Sequence, residues 1–136
     1  PWPLRLLQIQ LTVVYLATFV ARMTGEKWTA GTAVSYALRL EDMVIVALPR
    51  AVLESPALMN AGTWAVLVGE VLLGICVWKP RFPPIVVALG VALHLTIMVT
   101  IAVGFFSPAM MLLYLAFLPS DVAERWMRRR AGPSTV

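Results

Sequence analysis

The sequence has few of the residues used for metal binding and cross-linking, with one cysteine and one histidine among 136 residues. The lone Cys76 excludes a disulfide within the chain, and a single histidine is too few for a zinc site built from protein groups alone. We therefore expect no metal site. Cys76 lies in an apolar run, where packing as a small apolar residue is the simplest interpretation.

Charged residues are also scarce, at 13% of the chain, whereas 60% of the residues are hydrophobic and the mean hydropathy is +0.84. A soluble domain of this size cannot hide so much apolar surface. The composition therefore predicts an integral membrane protein, with the lipid bilayer as its partner. The net charge of +4 comes without the basic and aromatic alternation of nucleic-acid binders, so no nucleic acid is expected.

Four apolar segments are candidate membrane crossings: residues 6–23, 61–78, 85–103 and 109–118. The last two come from one apolar run of 34 residues, which as a straight helix would be about 51 Å long and too long for a bilayer. The string GFFSP at residues 104–108 is the natural break, because proline disfavours helix in the residue before it. Residues 109–118 are short, so they either cross with tilt or form a re-entrant segment.

Two further helices are predicted outside these spans. Residues 36–54 mix charged and apolar residues and indicate an interfacial amphipathic helix, and residues 121–130 indicate a basic tail helix. The predicted fold class is therefore an all-α integral membrane protein with about four transmembrane helices. Residues 1–120 form the transmembrane domain, and residues 121–136 form a basic cytoplasmic tail.

Basic residues predict the orientation of the spans. Lys79 and Arg81 in the short link and the arginines of the tail all fall on the cytoplasmic side if residues 109–118 cross the membrane. Residues 24–60 then face outside. The sequence opens Pro1-Trp2-Pro3 without an initiator methionine, and we expect upstream helices of the same full-length protein to pack beside this part.

Glu70 and His94 are ionisable residues within apolar runs that the link at residues 79–84 joins. The rise of about 1.5 Å per residue places both about 12–14 Å from the link in a helical hairpin, near the middle of a hydrocarbon core of about 30 Å. A charge there costs about 2.5 kcal/mol or more, so such residues usually face a partner or a cavity. Both are candidate catalytic residues. If they touch, they form a proton relay, a general base or a polar ligand site; the alternative is an interhelical hydrogen bond worth about 1 kcal/mol.

Several patterns in the chain together resemble the transmembrane domain of vitamin K-dependent gamma-carboxylases and their bacterial relatives, the HTTM (horizontally transferred transmembrane) domain. In the first half they are Gln10-x4-Tyr15, Ala21-Arg22-Met23 and Trp28-x-x-Gly31-x4-Tyr36. In the second half they are Gly69-Glu70-Val71-Leu72-Leu73 before a basic loop, His94 in mid-span, and Phe106-Ser107 before a short apolar segment.

The resemblance covers about residues 4–120 and implies that the chain is the C-terminal part of a multi-span domain in a bacterial plasma membrane. It makes a quinone a possible ligand or cofactor, although the sequence itself makes none evident. The pocket residues would be Gln10, Tyr15, Arg22, Trp28, Tyr36 and Ser107. Bundle packing, snorkelling to the interface and turn geometry are the structural alternatives for these residues.

The carboxylase uses a lysine as the proposed base that deprotonates reduced vitamin K, and that lysine corresponds to about Arg22 here. Arginine stays protonated and is a poor base, which counts against carboxylase or epoxidase chemistry. The leading hypothesis is a membrane protein with a polar pocket around Glu70 and His94 that binds a quinone- or lipid-like ligand. A quinol-coupled or carboxylase-like enzyme, a non-catalytic structural module and a transporter remain as alternatives.

Overall fold

Two long apolar helices dominate the computed structural model, which describes residues 2–76, 78–79 and 84–117. The helix α1 spans Trp2–Met23 and α5 spans Pro56–Cys76. Each is long and apolar enough to cross a membrane. Between them lie three short helices, α2 (Glu26–Thr29), α3 (Ala33–Ala37) and α4 (Arg50–Leu53). All regular elements in the described part of the chain are helices, which confirms the predicted all-α class.

The long apolar run that follows is divided into α6 (Pro84–Thr100) and α7 (Phe106–Tyr114), and a 3₁₀ turn at Leu115–Phe117 extends α7. The break predicted at residues 104–108 is therefore present, but it lies earlier. Gly104 has a φ of 59°, a left-handed conformation that favours glycine. Pro108 does not end a helix; it lies in the first turn of α7, where its missing N–H is tolerated.

The prediction of one amphipathic helix over residues 36–54 is wrong. Residues 38–49 are turns and extended backbone, with an isolated antiparallel bridge between Val44 and Ile101. Ile45 N donates to Thr100 O at 2.9 Å, and Ala102 N donates to Met43 O at 2.8 Å. The segment therefore divides its backbone hydrogen bonds between its own turns, such as Met43 N to Leu40 O at 3.0 Å, and the chain leaving α6. Pro49 prevents helix from continuing into α4.

The core forms where α1, α5, α6 and α7 meet. The buried cluster consists of Leu11, Tyr15, Leu73, Met110 and Tyr114. Glycines allow the helices to approach closely here: a Cβ at Gly74 would lie 3.4 Å from Tyr15 Cβ. Outside this core most of α1 is exposed apolar surface, as on a helix that faces lipid or further helices. The link at residues 80–83 and the predicted tail helix at 121–130 lie outside the described residues.

Candidate functional site

Glu70 lies on the buried side of α5, where its side chain is 7% exposed. It accepts a hydrogen bond through Oε1 from Nη1 of Arg22 near the end of α1, and the two form an ion pair. The Arg22 guanidinium also lies 4.5 Å from the ring centre of Trp28, a distance typical of a cation–π contact. Glu70 Oε2 is buried without a hydrogen-bond partner in the described part of the chain.

His94 lies on α6 and is bonded to different residues. Its Nε2 is 2.8 Å from the hydroxyl of Tyr15 on α1, and that hydroxyl is also hydrogen-bonded to the hydroxyl of Tyr114 on α7. The Phe106 ring packs edge-on against the imidazole, with 5.8 Å between the ring centres. Three helices are thus joined through two tyrosines and one histidine, all almost fully buried.

Glu70 and His94, which would form a proton-sharing pair only if they touched, are not hydrogen-bonded to each other. Each residue binds a different side chain of α1, Arg22 in one case and Tyr15 in the other. Counting residues from the link predicts how far along its helix each residue lies. Which side chain it contacts depends instead on how the helices are rotated about their axes. Two separate polar contacts are present instead of a shared-proton pair, and each ties α1 to another helix, as in the alternative of interhelical hydrogen bonding.

The hydrogen bonds of the tyrosine–histidine group can run in either of two directions. Tyr114 can donate to Tyr15 and Tyr15 to His94 Nε2, or His94 can donate to Tyr15 and Tyr15 to Tyr114. Both arrangements contain the same number of bonds, and in both His94 Nδ1 has no partner among the described residues. The hydrogen bonds can therefore point towards His94 or towards Tyr114. Because all three side chains are buried, we interpret the group as a contact that holds the helices together.

The sequence interpretation missed Tyr114 and Gly90, which complete this group. A Cβ at Gly90 would overlap the Tyr114 hydroxyl and come within 2.9 Å of Leu73 Cδ2. Gly90 lies one helical turn before His94, so its missing side chain makes the space that Tyr114 occupies. The i, i+4 spacing of a glycine and a histidine on an apolar helix was the signal that could have indicated a close helix contact.

A cavity of about 900 Å³ lies beside this core, bordered mainly by α3, α5, α6 and the segment at residues 38–48. Almost all of its walls are apolar, and several are small residues that leave the space open. The small lining residues include Ala33, Ala37, Gly62, Ala65, Gly69 and Ala92. The larger apolar ones include Leu38, Met43, Leu48, Leu72, Leu89 and Leu93. A cavity of this size and composition fits the apolar part of a lipid-sized molecule.

Arg22 is the one charged residue among the described residues that line the cavity. Two threonines also line it, but Thr96 Oγ1 donates to Ala92 O at 2.8 Å and Thr100 Oγ1 donates to Thr96 O at 2.7 Å. Their hydroxyl protons are therefore used on their own helix. The Arg22 side chain is a quarter exposed and, with the neighbouring Trp28, supplies the polar part of an otherwise apolar lining.

The residues predicted to form a pocket are distributed over three environments. Arg22 and Trp28 line the cavity, whereas Tyr15 lies in the core with His94. Gln10 and Tyr36 are exposed, and Lys27 Nζ lies 4.0 Å from the Tyr36 ring centre.

Ser107 is fully buried, and its Oγ has no hydrogen-bond partner in the described part of the chain. It is not among the residues that line the cavity, and neither Glu70 nor His94 is. Of the eight residues predicted as site residues, two therefore border the open space.

No protein-family model matches the chain, and searches of curated proteins and of solved structures likewise give no match. Among the described residues there is no group of three or more side chains suited to hold a metal ion. The functional interpretation therefore depends on the geometry of the cavity and of the two polar contacts.

Proposed function

We propose that the chain is a membrane-embedded helical domain that binds an amphipathic, quinone- or lipid-like ligand in the cavity beside Arg22. The observation that carries the proposal is an apolar cavity of about 900 Å³ with a single charged residue in its described lining. The apolar walls suit a hydrocarbon tail, and the guanidinium suits a polar head group. The proposed pocket is therefore centred on Arg22 and Trp28 rather than on Glu70 and His94.

The membrane part of the proposal includes four crossings. The helices α1 and α5 are long enough to span, and α6, at 17 residues, is about 26 Å long. The helix α7 with its 3₁₀ turn is shorter and crosses only with local thinning of the bilayer. The exposed leucines and valines of α1 support a lipid or helix environment for that face, since a soluble protein rarely exposes so many.

The resemblance to the HTTM domain of gamma-carboxylase-like proteins belongs to this proposal as well, and it makes a quinone one of the ligands to test. The residues support binding of a ligand but not a carboxylation reaction. Arg22, near the expected position of the lysine base, is engaged with Glu70 and Trp28 and does not release a proton readily. A quinol-coupled reaction would require a base that the described cavity lining does not supply.

A non-catalytic structural module is the second candidate. The observation that favours it is the tyrosine–histidine group, because its hydrogen bonds tie α1, α6 and α7 together. In both candidate functions His94 holds helices together. They differ in the role of the cavity, which binds a ligand in the first and packs against further helices in the second. A test of binding at the cavity therefore separates them.

The test uses Gly69, which lines the cavity and where an added Cβ would meet no atom within 4 Å. Gly69→Phe should fill the cavity, and Ala61→Phe on the same helix is the matched control, being exposed and outside the lining. The full chain is reconstituted in nanodiscs and titrated with decylubiquinone, a quinone that quenches nearby tryptophans. We expect saturable quenching that Trp28→Phe removes.

Gly69→Phe should weaken this binding by about tenfold or more, because the loss of even a small part of an apolar contact area costs that much. Ala61→Phe should bind like the wild type. Equal binding by both variants, or quenching that never saturates, would leave the structural module as the better description.

A further inference from the structure

The charge of the cavity is set by a residue behind its wall. Arg22 borders the open space, while its ion-pair partner Glu70 is buried behind it and absent from the described lining. The ligand would therefore meet a guanidinium whose positive charge is already balanced. Without Glu70, the same cavity would present an unbalanced cation in an apolar chamber.

An anionic head group at Arg22 would add a second negative charge close to Glu70. Only one oxygen of the Glu70 carboxylate is hydrogen-bonded, and Oε2 has no partner among the described residues, so little disperses its charge. The like charges would repel in surroundings that screen poorly. The head group would also lose its hydration on entering the apolar cavity, without a free cation to compensate.

An uncharged acceptor meets no such penalty. A guanidinium carries five N–H donors, and only one donates within the described part of the chain, to Glu70. The cation–π contact with Trp28, at 4.5 Å from Cζ to the ring centre, uses none of these donors as a hydrogen bond, so the others have no partner among the described residues. A ketone or ester carbonyl can accept from these donors without changing the charge of the site.

We infer that Glu70 acts through Arg22 as a specificity-determining residue, so that the cavity takes ligands with an uncharged carbonyl head and an apolar tail and rejects ligands with an anionic head. This inference rests on the proposed function, and it narrows the ligand class to neutral carbonyl compounds such as quinones or esters. Glu70 positions and neutralises Arg22 without touching the ligand. Its removal should convert the same cavity into a site for anionic amphiphiles.

The experiment compares two ligands that differ in head group alone. A methyl ester and a sulfonate with the same dibrominated octadecyl tail are titrated into the full chain, and quenching of Trp28 by bromine is the readout. The nanodiscs contain ether-linked phosphocholine lipid, which has no carbonyl to compete. Trp28→Phe gives the baseline for the other tryptophans, and concentrations are expressed as mole fractions in the disc.

In the wild type, we expect the ester to quench at a mole fraction about tenfold or more below that of the sulfonate, since a discrimination of that size is ordinary for one unpaired charge. Decylubiquinone is a third arm, and its competition with the ester shows whether a quinone or an ester head is preferred. Equal binding of ester and sulfonate, or a preference for the sulfonate, would overturn the inference. If neither ligand quenches more in the wild type than in Gly69→Phe, the proposed function itself fails, and the inference with it.

The variants test the role of Glu70 directly. Glu70→Gln should reverse the preference so that the sulfonate binds at least as tightly as the ester. The double variant Arg22→Gln with Glu70→Gln, which has no charge at either position, should gain nothing for the sulfonate. A folded Glu70→Gln variant with the wild-type preference would contradict the inference. If Glu70→Gln does not fold, the wild-type ratio and the double variant still decide.

Discussion

Gly90 illustrates how one missing side chain sets the contact between two helices. The Tyr114 hydroxyl occupies the space that a Cβ at Gly90 would take, and Leu73 closes the other side. Tyr114 cannot move away freely, because its hydroxyl is bonded to Tyr15 within the buried cluster. A methyl group at this position would therefore push against a rigid ring rather than a flexible chain end.

Gly90→Ala should lower the free energy of unfolding by about 1–3 kcal/mol, the usual cost of overpacking a core. Gly69→Ala is the matched control, because it makes the same change in a neighbouring apolar helix where no atom lies within 4 Å of the new Cβ. The control should leave stability unchanged or raise it by up to about 1 kcal/mol through helix propensity. Thermal unfolding of the purified protein in detergent measures both, and equal midpoints for the two variants would contradict the assigned contact.

The same residues show which properties of a site follow from the sequence. Depth along a helix follows from counting residues, and this identified Glu70 and His94 as buried polar positions. The partner of each residue depends on how its helix is rotated about its axis. The sequence does not determine this rotation, because the helices are apolar on all sides. Tyr15 and Arg22 were recognised as polar residues, but nothing in their spacing assigned one to His94 and the other to Glu70. Tyr114 was missed because a single tyrosine in an apolar segment resembles an interfacial residue.

At the scale of elements, the segment at residues 38–48 forms one wall of the cavity without being a helix. Leu38, Leu40, Met43 and Leu48 face the cavity, and the Val44–Ile101 bridge fastens the segment to the end of α6. The wall is held by few backbone bonds, so it is the part of the cavity lining with the least regular support. If the cavity binds a ligand as proposed, we expect this segment to open when the ligand enters.

Hydrogen exchange should report this opening. We expect the amides of Ile45 and Ala102 to exchange more slowly than those of Val46 and Ala47, because the first two donate to Thr100 and Met43. Among the described residues, the last two donate to no backbone carbonyl. Exchange of the full chain in detergent, followed by mass spectrometry with fragmentation, separates these positions. Exchange of Ile45 as fast as that of Val46 would mean that the bridge does not hold this wall in place.

The helices that were predicted correctly are those with a long apolar run in the sequence. The runs at residues 6–23 and 61–78 correspond to α1 and α5, whose last residues lie within two of those expected, because length and composition leave few alternatives. Both helices begin four to five residues earlier than expected, at Trp2 and Pro56. Residues 36–54 were wrongly predicted as one helix because their mixture of charged and apolar residues fits an amphipathic helix and an irregular segment equally well. Their extended pairing with residues 100–102 is a long-range contact that no local pattern encodes.

At the scale of the whole molecule, the packing fixes which ends of the long helices lie together. Trp78 Nε1 donates to Thr12 Oγ1 at 2.7 Å, whereas Arg22 near the other end of α1 pairs with Glu70. The helices α1 and α5 are therefore antiparallel. If both cross a membrane, residues 24–55 lie on one side, and the start of α1 and Lys79 lie on the other.

The charges favour one orientation of this arrangement. Residues 24–55 contain three basic and four acidic residues, so this connection carries no excess of positive charge. The opposite side has Arg5 near the start of α1, together with Lys79 and Arg81 in the link. Loops with an excess of lysine and arginine remain in the cytoplasm, so the side with Lys79 should be cytoplasmic and residues 24–55 should be outside.

Cysteine labelling in intact bacterial cells tests both the crossing and its direction. In a Cys76→Ser background, Glu41→Cys should react with a membrane-impermeant maleimide in intact cells, whereas Lys79→Cys should react only after permeabilisation; both positions are exposed in the structure. The opposite pattern would reverse the orientation and leave the antiparallel crossing intact. Labelling of both positions in intact cells would show that α1 and α5 do not separate them across a bilayer, and the proposed membrane domain would then be wrong.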